Sequence, residues 1–120
     1  MAQHIRIPRH IDAPGNKVIK EYIGRVATGT NTISIAWMEA PPGWAEPPQQ
    51  PEFTEYTVVL SGALIVSLKN EEIVVRKGEA IVVHQGEWVQ YRTTEGAEYI
   101  AICLPAFSSQ LVHRQEVNQG

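Results

Sequence analysis

The sequence predicts an all-β fold, a sandwich or barrel of short strands. Three observations carry this: β-branched and aromatic runs recur at short intervals, Gly, Pro and Asn turn signals separate them, and no segment keeps helical periodicity for about ten residues. The expected strands are Val18–Val26, Thr32–Glu39, Phe53–Leu60, Ala63–Leu68, Ile73–Arg76, Ala80–Val83, Trp88–Thr93 and Ala97–Leu104. Turns are expected at 29–31, 61–62, 69–71, 77–79, 85–87 and 94–96. Ser108 or Ser109 is a candidate cap for a short turn running to His113. Closing or doubling such a sheet removes its exposed edges, which favours a sandwich or barrel.

One stretch breaks the pattern. Residues 41–51 carry five prolines, which lack the N–H a central strand needs. Trp44 sits within this stiff loop, either at a pocket rim or packed onto the body of the fold.

At 120 residues the chain reads as a single domain, 1–120, with room for one core. Ten Lys and Arg against 13 Asp and Glu give a net charge of −3. The basic residues are scattered, which argues against a nucleic-acid partner. No apolar run reaches the 18 or so residues of a membrane span, and the N-terminus has no signal-peptide core. Cys103 is alone, so no internal disulfide forms, and a cytoplasmic location is the expectation. His4, His10 and His113 lie near the ends without ligand spacing and read as surface imidazoles. Trp37 and Met38 face opposite ways on one strand, one toward the core and one toward a dimer contact.

Gly43, Gln49, Pro51, Glu55 and Gly62, followed by Gly78, His84, Gly86, Val89 and Thr93, keep a distinctive spacing. This arrangement resembles the two signature motifs of the cupin superfamily, motif 1 over about 43–62 and motif 2 over about 78–93. The first motif usually reads glycine, His-x-His, Glu and glycine; the second reads Gly, Pro-x-Gly, His and Asn. The run EFTEYTVVLSGALIV followed by KGEAIVV is also weakly similar to the ethanolamine-utilisation cupins. The resemblance implies an RmlC-like jelly roll, a double-stranded β-helix barrel that holds a metal or small molecule and commonly pairs into a homodimer through N-terminal strands.

The scaffold glycines match, but the metal ligands do not. Gln49, Pro51 and Val89 stand where the family places histidines, and only Glu55 survives. A substitute site of Gln49, Glu52, Glu55 and Gln90 would offer hard oxygens suited to Mg²⁺ or Mn²⁺. Strand alternation sends Glu52 outward, unless the neighbouring prolines shift its phase into the barrel mouth. His84 falls at the rim. The cofactor thus stays open: none, or a divalent metal.

In the motif register Glu55 points inward with Phe53, Thr57 and Val59, and Tyr91 with Val89 and Thr93. Tyr99, Ala101 and Cys103 share the face better suited to line a pocket. An uncompensated acid in an apolar barrel has a raised pKa and is equipped for proton transfer. Glu55 and Tyr91 are therefore the candidate catalytic pair, with Gln49, Trp44, Phe53, Val89, Tyr99 and Cys103 as candidate ligand contacts. The bland alternative pairs Glu55 with Arg25, Arg92 or Tyr91 as a strand tie, and makes Cys103 a small buried apolar residue.

Three functions fit these residues. The first is a metal-independent or weakly metal-dependent enzyme of the isomerase, dehydratase or cyclase type. The others are a non-catalytic ligand-binding or assembly module, and a metallocupin with substitute oxygen ligands.

Overall fold

The computed structural model describes residues 1–115. Its eight strands are β1 (Arg9–Ile11), β2 (Val18–Ile23), β3 (Ser34–Ala40), β4 (Thr54–Leu68), β5 (Glu72–Arg76), β6 (Ala80–Val83), β7 (Val89–Arg92) and β8 (Ala97–Leu104). All strand pairs are antiparallel, and β1, β2, β3, β8 and β4 lie side by side in that order. The first half of β4 pairs with β8 and β6, and its second half with β5 and β7. One long strand thereby joins two layers around a common interior, the all-β jelly-roll arrangement expected from the sequence.

Alternation decides what faces that interior. Along β8, Ala97, Tyr99, Ala101 and Cys103 are buried while their neighbours are more exposed. Along β4, Thr57, Val59, Leu64 and Val66 are buried, with the phase change falling at a register shift between Val59 and Ser61. These residues, with Val75, Val83, Val89, Tyr91 and Trp44, form the main core. Phe53, Cys103 and Val112 form a second cluster, where Phe53 meets Phe107 edge to face at 5.9 Å.

Two expectations of the sequence are corrected here. Ser61–Gly62 does not end a strand; both residues pair with β8, directly after a bulge at Leu60 inside the 15-residue β4. Gly62 has φ +71°, and a Cβ there would stand 2.0 Å from the Gly96 carbonyl oxygen. Its glycine signal reflects this close backbone approach, which mimics a turn signature in the sequence. The second correction is β1, too short to show periodicity. Near the C-terminus, Ser108 Oγ accepts from the Gln110 amide at 3.1 Å, so the cap exists on a turn.

The proline-rich segment 41–51 makes bridges rather than a strand, at Ala45↔Arg92, Gln49↔Val89 and Gln49↔Arg114. Residues between the prolines supply the donors: the Glu46 amide bonds the Tyr91 carbonyl at 3.2 Å, and the Gln49 amide bonds that of Val89 at 2.8 Å. The segment is thereby laid against β7 and closes one side of the barrel.

Gly62→Ala is expected to destabilise the fold by more than about 3 kcal/mol, since backbone must move. Gly29→Ala, at φ +68° with nothing within 4 Å, is expected to cost only about 1 kcal/mol of backbone strain. Urea denaturation of both variants tests this, and equal losses would contradict it.

Candidate functional site

The barrel encloses a hollow that opens at one end. The cavity volume is about 40 Å³, and the space including the open mouth is about 550 Å³. The interior space alone corresponds to about three waters. Glu55, Gln49, Tyr91, Tyr99 and Cys103 line it, as do four residues the motif reading did not single out: Lys17, Glu21, Glu46 and Arg114.

Glu55 enters from β4 opposite Cys103 of β8 and Val83 of β6. Its carboxylate has two long contacts, from Thr57 Oγ1 at 3.4 Å and Cys103 Sγ at 3.6 Å. Burial raises its pKa from 4.5 to about 7, reinforced by the Glu46 carboxylate and opposed by Lys17 and these two donors. Burial, then the charge of Glu55, pushes the Cys103 thiol up; it is a protonated donor rather than a nucleophile. Tyr91 and Tyr99 are likewise held above their ordinary range, first by burial and then by the two carboxylates. Their hydroxyls keep their protons and serve as donors.

Of the expected strand-tie partners, Tyr91 lines the hollow with Glu55, and the two arginines are engaged elsewhere. Arg25 donates to the Ala106 carbonyl and to Asn31, and Arg92 pairs with Glu72 at 2.8 Å.

Lys17 leads into β2 just after the Gly15–Asn16 turn. It shares the inward phase of Ile19 and Glu21, and this alternation is the signal that could have found it. Its Nζ stands 4.0 Å from Glu46 Oε2, 4.2 Å from the Trp44 ring centroid and 5.2 Å from that of Tyr99. Burial lowers its pKa, while Glu46 and then Glu55 hold it up. Burial raises Glu46, opposed by Lys17 and by Arg114, whose Nη2 lies 3.9 Å away. Glu21 has a structural partner set: its Oε1 accepts from the Val26 and Ala27 amides at 3.0 and 2.9 Å.

Gln49 is 3% exposed, and its Oε1 has no hydrogen-bond donor among the described residues. A buried amide oxygen without a partner marks a place where a ligand donor fits. Three expected ligand contacts lie elsewhere. Trp44 is the platform beneath Lys17. Phe53 belongs to the second core cluster, and Val89 is sealed behind the bridge to Gln49.

The substitute metal set does not assemble. Glu52, in the bend before β4, is exposed and bonded to His113, and Gln90 spends its amide on the Glu46 carbonyl at 3.0 Å. Among the described residues no three His, Cys, Asp or Glu side chains gather to hold an ion. Gln49, Pro51, Glu55 and Val89 offer one carboxylate and one neutral amide, with a lysine beside them in the hollow. This donor set does not fit a dedicated transition-metal centre.

The family model described as Cupin domain matches residues 36–104. The chain belongs to this cupin family. A curated relative, "Endoribonuclease YbeY" of Myxococcus xanthus, is 38% identical over 113 residues, 92% of this chain. The chain spans only 38% of that protein's length. Among solved structures, this cupin is similar to the polyketide cyclase RemF of Streptomyces resistomycificus, at 18% identity and TM-score 0.77, over 99% of this chain and 89% of that one. It is also similar to the ethanolamine utilization protein Q of Salmonella typhimurium, at 16% identity and TM-score 0.64, over 78% and 73%. Identities this low establish a shared fold. Among the described residues no helix is long and apolar enough to cross a membrane.

Between the unfolded carboxyl value of 4.5 and the folded value of about 7, folded Glu55 holds a proton that the unfolded chain releases. Raising pH through this window therefore removes stability, and Glu55→Gln does not titrate. The variant is expected to gain on the native protein by about 3 kcal/mol between pH 4.5 and pH 7, with the difference constant above. Chemical denaturation across this range measures it; a difference independent of pH would contradict it.

Proposed function

We propose that this cupin is a small-molecule enzyme of the isomerase, dehydratase or cyclase type, with Glu55 as the residue that takes and returns a proton. The observation that carries the reading is a half-buried carboxyl, poised near neutrality, that lines the hollow. A group titrating near the working pH exists in both forms, as acid–base catalysis requires. Tyr91 orients the bound compound through its hydroxyl, and Gln49 Oε1 accepts from a ligand O–H or N–H. The likeness to a polyketide cyclase supports a proton-transfer reaction on this barrel, although one fold hosts many chemistries. The ribonuclease activity named for the Myxococcus protein is not carried over, given the 38% of it that the chain spans.

The proposed partners are a small molecule and a second copy of the chain, with no nucleic acid or membrane. The dimer is supported by Tyr56, Val58, Val82 and Leu104, exposed by more than 40% each on adjoining strands β4, β6 and β8.

A ligand-observed NMR screen of small hydroxy and carbonyl compounds, followed by turnover assays, tests the enzyme reading. Glu55→Gln is expected to bind the selected compound within about 3-fold of the native protein and to lose at least about 100-fold in kcat, the usual range for a general acid–base. Undiminished turnover by Glu55→Gln would overturn it.

A further inference from the structure

The hollow contains a cation that the chain itself provides. Lys17 is embedded between the faces of Trp44 and Tyr99, with its side chain 6% exposed. The groups acting on it are Glu46, Glu55, Arg114 and Cys103, and ring faces favour its protonated form. Glu46 holds it at 4.0 Å, longer than a close charge-assisted hydrogen bond. The ammonium thus has N–H donors to spare in a space also lined by Glu55 and Gln49.

We propose that Lys17 does the electrostatic work a metal ion does in other cupins: it binds the oxygen of a small hydroxy-carbonyl compound as that oxygen becomes an enolate. Lys17 would then be a catalytic residue, and the assignment rests on the proton-transfer reading of Glu55 given above.

The step balances without a co-reactant. The Glu55 carboxylate takes a proton from the carbon beside the carbonyl. The C–H electron pair forms the enolate C=C bond, and the negative charge moves to the oxygen held by Lys17. The Glu55 carboxyl then returns the proton to the same carbon; return to the neighbouring carbon also requires the substrate's hydroxyl proton to pass to the enolate oxygen, which becomes the new hydroxyl. Gln49 Oε1, buried and without a donor among the described residues, accepts from the substrate hydroxyl. The small interior suits a reacting portion of roughly five heavy atoms. A buried ammonium aimed at the developing charge is preorganised electrostatic stabilisation.

The test uses two probes with the full chain. Glycolohydroxamate, a hydroxylated enolate mimic, is titrated calorimetrically; proton–deuterium exchange into hydroxyacetone in D₂O is followed by NMR. Lys17→Met alone leaves Glu46 buried beside an apolar stem, so the double variant Lys17→Met/Glu46→Gln, which keeps the charge balanced, is run with it. Thermal melting confirms that each variant is folded.

The native protein and Glu55→Gln are expected to bind glycolohydroxamate, and the double variant to bind it at least about 30-fold more weakly, as loss of a charged hydrogen bond predicts. Exchange is expected to fall in both Glu55→Gln and the double variant. Equal affinity in the native protein and the double variant, or no binding by the native protein, would overturn the assignment of Lys17. Mimic binding that depends on Lys17, together with exchange unchanged in Glu55→Gln, would instead remove the proton-transfer reading of Glu55 and leave Lys17 as an anion site only.

Discussion

A desolvated carboxyl in the hollow of the barrel sets the terms for the whole interior. Desolvating Glu55 is costly, and its two contacts at 3.4 and 3.6 Å are too long to offset that cost. The side chain therefore rests between its two protonation states, with a folded pKa of about 7. A bidentate arginine in the same place would hold it permanently ionised and chemically inert. The two arginines the sequence offered as partners are instead tied to Asn31 and to Glu72. Poise at Glu55 thus depends on where other charges are kept.

The second buried charge system has the opposite character. Lys17, Glu46 and Arg114 come from three segments remote in sequence, and each would be costly to bury alone. Together they fasten the turn before β2, the proline-rich segment and the C-terminal segment to one another. Trp44 and Tyr99 complete the cluster by giving Lys17 two aromatic faces. The same group of residues closes the barrel and places a positive charge within it, so removing Lys17 affects both the fold and the site.

The readable part of the molecule is the part governed by strand alternation and by close backbone approach. Ala80–Val83 and Ala97–Leu104 were legible to the residue. So was the inward face carrying Glu55, Tyr91, Tyr99 and Cys103, because period-2 patterning fixes it once the strand is known. Lys17, Glu46 and Arg114 were not legible. Lys17 continues the inward phase of β2 but stands one residue before the strand, Glu46 and Arg114 lie where no period applies, and the partners of all three are close only after folding. Glu52 and Gln90 show the complementary failure: the right residue types for a metal, near Glu55 in sequence, yet one is exposed beside His113 and the other bonds backbone. Gly62 was conspicuous but ambiguous, since a tight turn and a close backbone approach both call for glycine.

The most direct test is the titration of Glu55 itself, followed by side-chain carboxyl ¹³C NMR on glutamate-labelled protein, with Glu55→Gln to assign the resonance. A midpoint near the folded value of about 7 is predicted. A midpoint below about 5, the range of a solvated glutamate, would show that the carboxyl is hydrated or tightly paired and would contradict the account.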